Sequence, residues 1–352
     1  MAMTIVDSSV RTAVTGGVDT HVDFHVAAAL DHIGGLLGVE TFPVSEAGYR
    51  SLLDWLEGFG PVTKVGVEGT GSYGSGLFRF LYRHGVEVVE VDRPDRQLRH
   101  REGKSDPTDA VAAARAALSG KATGRPKLGN GPVEQMRILT VARRSARDQR
   151  IQTLNQIRHL VFCAPEAIRE RFIGRYQVTM LREMAAMRPR PGADPIVHVT
   201  LMTLRDLARR IRQLDVETKR ISGQLKILVS EVAPSLLDVY GLGPDGAAVL
   251  LVAAGDNPGR IHSEAAWAHL CGVAPIPASS GKTIRHRLNR GGNRQANSVL
   301  YQIIICRMST DPRTRAYVTR RRAEGRTTGE IVRLLKRYAA REIHKHLPRD
   351  IT

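Results

Sequence analysis

Four acidic residues occupy predicted strand ends and a predicted helix start, where their side chains could take part in metal-dependent chemistry. Asp19 lies on the first predicted strand, Glu68 ends a later buried strand, and Asp106 and Asp109 lie at the entry to a helix. Enzymes that transfer phosphoryl groups to or from DNA use metal ions about 4 Å apart, held by hard oxygen ligands. Converging carboxylates of this kind predict a magnesium site, in which manganese is the expected substitute.

Each of these acids also has a purely structural explanation. Asp19 could be a solvated carboxylate at a strand edge, and Glu68 could simply precede the Gly-Thr-Gly turn that follows it. Asp106 stands before a proline, as a helix N-cap often does, and Asp109 would then favour the positive end of the helix dipole. The order of the four acids and their place in one fold favour a shared site over these separate roles.

The elements that must position the acids form a predicted α/β domain over residues 1–125. The hydrophobic pattern predicts the order strand, strand, helix, strand, helix, strand. This is the order of a ribonuclease-H-like core, although a short doubly wound domain would give a similar string. Adjacent strands in one sheet would bring Asp19 and Glu68 together, and the i, i+3 spacing would put Asp106 and Asp109 near one helical face.

The charge of the chain narrows the class of partner. Lys and Arg number 52 against 35 Asp and Glu, and the net charge of +17 favours a polyanion through phosphate neutralisation and counterion release. Aromatic residues make up only 5% of the chain, so contact with the backbone of double-stranded DNA is favoured over base stacking. No apolar run reaches the roughly 18 to 20 residues that span a bilayer. The sequence therefore predicts a cytoplasmic, nucleoid-associated protein without a membrane segment.

The number and spacing of the cysteines argue against disulfide bonds and against a structural zinc ion, which are two common ways of stabilising a small fold. Cys163, Cys271 and Cys306 lie far apart, with no Cys-x-x-Cys pair and no Cys/His cluster at zinc-ligand spacing. Neither a disulfide nor a structural zinc is expected.

A linker rich in Gly, Lys, Pro and Arg covers residues 120–132 and leads into a predicted helical region at 133–232. This region contains a heptad seam with alternating steps of three and four: Leu204, Leu207, Ile211, Leu214, Thr218, Ile221, Leu225 and Leu228. The seam predicts either a long helix packed inside its own domain or a coiled coil, within the chain or between protomers.

A second, mainly α-helical domain is predicted over residues 235–352. It begins with Gly241-Leu-Gly243 before an apolar run, and such a turn at a helix start exposes backbone N–H groups that can hold a phosphate. The segment resembles the start of a helix-hairpin-helix element, although a plain helix-start turn would look the same. The tail at 331–347 is a predicted basic amphipathic helix.

Basic residues cluster in the middle of this second domain. Guanidinium groups suit bidentate phosphate contacts, and the expected nucleic-acid-binding set is Gly241, Gly243, Lys282, Arg285, Arg287, Arg290 and Arg294. A second basic face is predicted on the first helix of the middle region, from Arg143, Arg144, Arg147 and Arg150. The alternative explanation is that these charges are simply solvated.

Motifs at both ends of the chain together resemble a known family. Residues 17–20, 67–73 and 103–110 resemble the Asp, Glu, Asp and Asp motifs of transposases of insertion-sequence family 110, whose N-terminal domain is similar to the RuvC resolvase. Residues 241–252, 271–282 and 287–294 resemble the C-terminal transposase domain of that family. The resemblance spans most of the chain in the right order, and the middle helices share the character of the family rather than its motifs.

The resemblance implies a mechanism and partners. In such enzymes the four acids bind magnesium, and a serine of the C-terminal domain attacks the DNA phosphate to give a covalent phosphoserine intermediate. The family pattern places this serine directly before a glycine and at a fixed distance from the proline matching Pro275, which selects Ser280. Counting back from Lys282 selects Ser279 instead. The family acts as dimers that pair into tetramers, and a structured guide RNA encoded in the element is a partner of some members.

Two other functions would use parts of the same sequence. A metal-dependent nuclease, such as a junction resolvase, would activate water with the acids and leave the serine idle. A non-catalytic DNA- or RNA-binding protein would use the acids as caps and surface charges. Incubation with supercoiled or branched DNA and magnesium separates the three, because they predict rejoined products, free nicks and binding alone.

Overall fold

The computed structural model describes residues 13–91, 105–190, 194–256 and 261–348. The chain divides into two compact units, Met1–Leu128 and Gly129–Thr352. Within the N-terminal motifs, Gly103 and Lys104 lie outside the described residues.

The first unit is built on a mixed five-stranded sheet in the order β3-β2-β1-β4-β5. The strands β1, β2 and β3 are antiparallel neighbours, whereas β1–β4 and β4–β5 are parallel pairs. This arrangement fits a ribonuclease-H-like α/β domain, and the antiparallel strands rule out the alternative of a doubly wound parallel sheet. The elements are β1 Val14–Thr20, β2 Phe24–Leu30, β3 Leu36–Pro43, α1 Glu46–Phe59, β4 Val62–Glu68, α2 Ser75–Arg83, β5 Glu87–Val91 and α3 Asp106–Leu118.

The predicted element order is wrong at one strand, because β3 follows β2 before the first helix. Most residues of β3 are exposed, including its apolar residues Leu36, Leu37 and Val39. An edge strand of this kind lacks the alternation of buried and exposed residues that reveals a strand in sequence. The antiparallel pairing of β3 with β2 identifies it as a strand, which the hydrophobic pattern of its sequence does not.

The second unit is mainly helical, as predicted. Its elements are α4 Pro132–Phe162, α5 Glu166–Phe172, α6 Gln177–Ala186, α7 Pro195–Val232, a 3₁₀ helix Pro234–Asp238, α8 Pro244–Ala254, α9 Glu264–Leu270, β6 Ile276–Pro277, β7 His286–Arg287, α10 Arg294–Thr310, α11 Pro312–Ala323 and α12 Thr328–His344. No helix in the described ranges combines the length and apolar character needed to cross a membrane.

The heptad seam of α7 is buried against other helices of the same chain. Leu204 and Ile211 belong to a hydrophobic cluster with Leu154 and Ile157 of α4. Farther along, Leu225 packs in a cluster that also contains Met136, near the start of α4. The structure thus accounts for the seam by packing within the chain, and assembly between protomers stays a prediction.

The core of the second unit continues from the long helices into the C-terminal ones. Leu225 and Val229 of α7 share one hydrophobic cluster with Leu251 of α8, Trp267 of α9 and Leu300 of α10. Residues 133–232 and 235–352 therefore lie in one compact unit, Gly129–Thr352. The finer division into domains at 1–125, 133–232 and 235–352 stays a prediction.

Candidate active site

The two central strands bring Asp19 and Glu68 to neighbouring strand ends. Strand β1 runs parallel to β4 with Val18 opposite Val67, so the next residues, Asp19 and Glu68, are neighbours. The Thr20 hydroxyl donates a hydrogen bond to the Glu68 carbonyl oxygen at 2.9 Å and ties the two ends together. Asp19 is only 8% exposed.

Glycines in these strands allow helix α3 to lie directly on the sheet. A Cβ atom at Gly17 would lie 2.1 Å from the backbone nitrogen of Ala114, and one at Gly66 would lie 2.6 Å from the carbonyl oxygen of Ala113. The helix presents small buried side chains to this face: Ala110, Ala113, Ala114 and Ala117. Side chains alternate between the two faces of a strand, so Asp19 and Glu68 point to the same face as Gly17 and Gly66.

The start of α3 places two more carboxylates beside these strand ends. The helix begins at Asp106, and Ser105 occupies the N-cap position, so the N-cap explanation of Asp106 is wrong. The Ser105 hydroxyl instead makes a 2.7 Å hydrogen bond with the Thr108 hydroxyl. Asp109 is only 4% exposed, and a carboxylate that merely favoured the helix dipole would not need such burial.

A histidine that the sequence analysis did not single out lies between two of the acids. The Nε2 atom of His21 is 3.2 Å from Oδ2 of Asp19 and 3.4 Å from Oδ2 of Asp106. One ligand atom from each of these three residues lies within 4.8 Å of the others. In the described part of the chain, Glu68 and Asp109 do not join a group this tight. The sequence did contain one signal for His21, its position two residues after Asp19. At a strand end, side chains two residues apart can lie on the same side of the sheet.

The electrostatics of the cluster favour a bound cation. Burial raises the pKa of Asp19, and the neighbouring carboxylates of Asp109 and Asp106 raise it further, whereas His21 lowers it. Anionic oxygens held together in a partly buried place repel one another unless a positive charge offsets them. Carboxylate oxygens suit a hard divalent ion, and the imidazole of His21 could act as a further ligand. The residues present therefore fit a divalent metal.

The two candidate serines lie at the tip of a small hairpin in the second unit. Ile276 pairs with Arg287, Pro277 with His286, and Ser280 with Thr283. The two-residue loop between Ser280 and Thr283 turns at Gly281, whose φ of 55° is in the left-handed region. Glycine at the first position of such a loop is the usual solution in a type II′ turn.

The hydroxyls of the two serines differ in their contacts. Ser279 Oγ accepts a hydrogen bond from the Arg285 backbone nitrogen at 3.2 Å and donates one to the Arg285 carbonyl oxygen at 3.4 Å. Within the described residues, the Ser280 hydroxyl has no hydrogen-bond partner, and its side chain is exposed. The pairing puts Ser280 on the same face of the hairpin as Arg285 and Arg287.

The base of this hairpin is closed by glycine and asparagine. The Asn293 backbone nitrogen donates to the Leu270 carbonyl oxygen at 2.6 Å. A Cβ atom at Gly292 would lie 2.3 Å from the Cα atom of Gly272, so no larger residue fits there. The Asn297 side-chain amide donates to the Cys271 carbonyl oxygen at 2.8 Å. These contacts hold the base of the hairpin in place, while its tip is exposed to solvent.

The predicted nucleic-acid-binding side chains of this region are all solvent-accessible. The exposed residues are Lys282, Arg285, Arg287, Arg290 and Arg294. Among the residues that the structure describes, none of the five makes a salt bridge, so their charges are not offset by a nearby carboxylate.

The glycine turn at Gly241 and Gly243 does lead into a helix. Gly241 has a φ of 81°, and Gly243 is the N-cap of α8. The first turn of α8 already carries an acid, Asp245, which forms a 2.5 Å salt bridge with Arg143. An anion at this helix start would therefore meet both a carboxylate and the guanidinium that balances it.

Known proteins match both units of the chain. Residues 16–162 match the model of a transposase family typified by IS110, and residues 233–319 match that of the transposase IS116/IS110/IS902 family. Over 134 residues the chain is 33% identical to a 43.6 kDa protein of insertion element IS110 from Streptomyces coelicolor, an alignment that spans 37% of this chain and 33% of that relative. A second Streptomyces coelicolor protein, named as a transposase of the IS117 mini-circle, is 25% identical over 365 aligned positions, which cover 88% of this chain and 87% of the relative.

Proposed function

Because the chain belongs to the IS116/IS110/IS902 family of transposases, we propose that it cuts and rejoins DNA with a carboxylate-bound metal and a serine nucleophile. The observation that carries this proposal is the convergence of Asp19 and His21, at the end of β1, with Asp106, at the start of α3. Asp109 and the strand end that carries Glu68 lie beside them. A ligand group of this composition suits the phosphoryl-transfer chemistry of a transposase.

The metal site would be held by the acids Asp19, Glu68, Asp106 and Asp109, with magnesium as the expected ion and manganese as its substitute. When bound, the metal would neutralise charge on the scissile phosphate and on the attacking or leaving oxygen. The protein contributes the rigid placement of these ligands, because α3 lies against Gly17 and Gly66 and cannot shift far. Burial of Asp19 and Asp109 limits competition from water.

The serine step transfers a phosphoryl group and conserves the number of phosphodiester bonds. The hydroxyl of Ser280 would lose its proton to a nearby base or to solvent while Oγ bonds to phosphorus. The bond from phosphorus to the leaving deoxyribose oxygen breaks, and that oxygen takes up a proton. Attack on the phosphoserine by a deoxyribose hydroxyl of the new partner strand reverses these changes and regenerates the serine.

The choice of Ser280 over Ser279 is supported by their hydrogen bonds. The hydroxyl of Ser279 is engaged with the Arg285 backbone and contributes to the hairpin. Ser280 is exposed and shares a face with Arg285 and Arg287, whose guanidinium groups could bind the phosphate that the serine attacks. We therefore assign the nucleophile to Ser280.

DNA contact is proposed for the exposed basic set of Lys282, Arg285, Arg287, Arg290 and Arg294, and for the turn at Gly241 and Gly243. Double-stranded DNA at the element ends and at the target is the expected substrate. Assembly into dimers or tetramers and the use of a structured guide RNA belong to the same proposal and are supported by the membership of the family.

The metal part of the proposal is tested with a matched pair of aspartates. Asp19→Asn should lower strand cleavage at least about a hundredfold while duplex binding stays near wild type, because one metal ligand is lost. Asp23→Asn, an exposed carboxylate in the adjacent turn, should stay within about twofold of wild type. Cleavage assays with magnesium, with manganese and with a chelator measure the effect. Equal activity of the two variants would remove Asp19 from the site.

The serine part is tested by trapping the covalent intermediate. Wild type and Ser279→Ala should form a protein–DNA adduct that survives denaturing electrophoresis, and Ser280→Ala should form none while still binding DNA. Mass spectrometry of the adduct should locate the phosphate on Ser280. Free nicks produced equally by wild type and Ser280→Ala would instead support a hydrolytic nuclease.

A further inference from the structure

A second cluster of arginines lies in the second unit, away from the hairpin tip. The sequence places Arg143, Arg144 and Arg147 on helix α4, and their spacing of one and three or four residues brings their side chains toward one side of that helix. The structure shows what lies against this side. Together with Arg294 of α10, the three arginines line a cleft of about 230 Å³ between α4, α8 and α10.

The cleft carries more positive than negative charge. Among the described residues that line it, the one acid is Asp245, which is paired with Arg143 at 2.5 Å. Arg144 contacts a neutral group, the Gln295 side-chain oxygen, at 2.7 Å, and Arg147 forms a 2.8 Å salt bridge with the neighbouring Asp148, which does not line the cleft. Within the described residues, Arg143 and Arg147 are thus each paired with a carboxylate, and the guanidinium groups of Arg144 and Arg294 have none.

Two helix starts border the cleft. Asp245 and Gly246, in the first turn of α8, line the cleft, as do Arg294 and Gln295, in the first turn of α10. The N-terminal end of a helix carries a partial positive charge. At α8 the Asp245 carboxylate offsets it, and at α10 the Asn293 side-chain oxygen already accepts hydrogen bonds from the Gln295 and Ala296 backbone nitrogens. The cleft also includes Ser298, whose neutral hydroxyl can donate a hydrogen bond.

We propose that this cleft binds a phosphodiester group of a nucleic-acid backbone, at a site separate from the phosphate attacked by the serine. Two guanidinium groups without a carboxylate partner in the described residues, with neutral hydroxyl and amide groups beside them, match a phosphate diester and not an apolar ligand. A cleft of about 230 Å³ has room for one or two phosphate groups but not for several whole nucleotides. Arg294 connects the cleft to the arginine-rich segment that ends the serine hairpin, so one backbone could contact both. The inference rests on the proposed function because it assigns part of the nucleic-acid contact.

The test uses Arg144→Gln/Arg147→Gln as the cleft variant. The control, Arg182→Gln/Arg313→Gln, removes the same charge from exposed arginines of the same unit that do not line the cleft. Fluorescence anisotropy measures the binding of labelled duplex DNA and of labelled RNA to the full chain over a range of salt concentrations. Circular dichroism and thermal melting confirm that both variants are folded.

The cleft variant should bind at least one of the two nucleic acids about tenfold more weakly than the control near 0.1 M salt. Loss of two duplex phosphate contacts should also reduce the slope of log affinity against log salt by about 1.8. A loss with the duplex assigns the cleft to the DNA backbone, and a loss with RNA alone assigns it to RNA. Arg144→Lys/Arg147→Lys should recover most of the slope, because lysine keeps the charge.

Equal affinities and slopes for the cleft and control variants with both ligands would overturn the inference. In that result the proposed function would still stand, provided that wild type binds and cleaves DNA. A wild type that binds neither ligand would instead contradict the proposed function itself, so the two failures are distinguishable.

Discussion

The carboxylate cluster and the serine hairpin are built in opposite ways. Asp19 and Asp109 are almost fully buried, at a place where α3 lies against the sheet over Gly17 and Gly66. The serines are exposed on a hairpin whose two named strands have two residues each. Close packing fixes the first site, whereas a few hydrogen bonds hold the second.

The difference corresponds to what the proposed function requires of each site. Metal ligands must keep fixed distances from one another, and packed interiors resist displacement. A nucleophile that attacks a polymer must be reachable by a bulky substrate, and an exposed turn allows that approach. Substitutions should therefore affect global stability at the first site and local order at the second.

The largest effect is expected from filling the contact between sheet and helix. Gly17→Ala should destabilise the first unit by about 3 kcal/mol or more, because the added Cβ would lie 2.1 Å from the Ala114 backbone nitrogen. Gly58→Ala, in helix α1, has nothing within 4 Å of its added Cβ and should be neutral or stabilising by up to about 1 kcal/mol. Urea denaturation of the two variants compares them. Similar midpoints would show that α3 can move away from the strand without cost.

A smaller effect is expected from His25, which is buried in the sheet and stacked on Tyr49. Among the residues that the structure describes, neither ring nitrogen of His25 has a well-placed hydrogen-bond partner. Burial lowers the pKa of His25 below its ordinary value of 6.5. Protonation therefore favours the unfolded chain, and stability should be full above pH 6.5 and fall as the pH drops below it.

His25→Phe should keep the ring and remove that loss, which makes the variant about 1–3 kcal/mol more stable than wild type near pH 5. The gain should shrink at pH 8, where the buried histidine is neutral. Thermal melting from pH 5 to pH 8 checks this, with the exposed His32→Gln as the control. Parallel pH profiles for wild type and His25→Phe would contradict the assignment.

A local effect is expected at the turn of the serine hairpin. Gly281→Ala should cost roughly 1–2 kcal/mol because a φ of 55° is unfavourable for a residue with a Cβ. The cost should appear as faster hydrogen exchange of the Ser280 and Thr283 amides, which are bonded across the turn, and not as a lower midpoint of global unfolding. Lys282→Ala changes the other loop residue and should leave both exchange rates near wild type.

The smallest effect separates the two serines. Ser279→Ala removes two weak hydrogen bonds to Arg285 and should speed exchange of the Arg285 amide by a factor that corresponds to about 0.5–1 kcal/mol. Ser280→Ala removes no hydrogen bond within the described part of the hairpin and should leave that rate unchanged. Equal acceleration in both variants would mean that the two hydroxyls contribute alike to the hairpin.

Much of the site could be predicted from local sequence. The acids Asp19, Glu68, Asp106 and Asp109 stand next to strand and helix signals, and strand alternation is a local property. The net charge of +17 and the absence of a long apolar run are sums over residues, so they need no fold. The heptad spacing of α7 likewise identifies the buried face of a helix without naming the helix that covers it.

Contacts between distant residues were decided only by the tertiary structure. His21 joined the acids because β1 and α3 meet, and nothing near His21 in sequence predicts the position of Asp106. The same holds for the partner of the α7 seam, which is α4, and for the cleft that joins Arg144 to Arg294. Each of these depends on how close two backbones can come, which is set by the packing of many side chains at once. A linear pattern specifies which faces are buried, and the three-dimensional packing specifies what they are buried against.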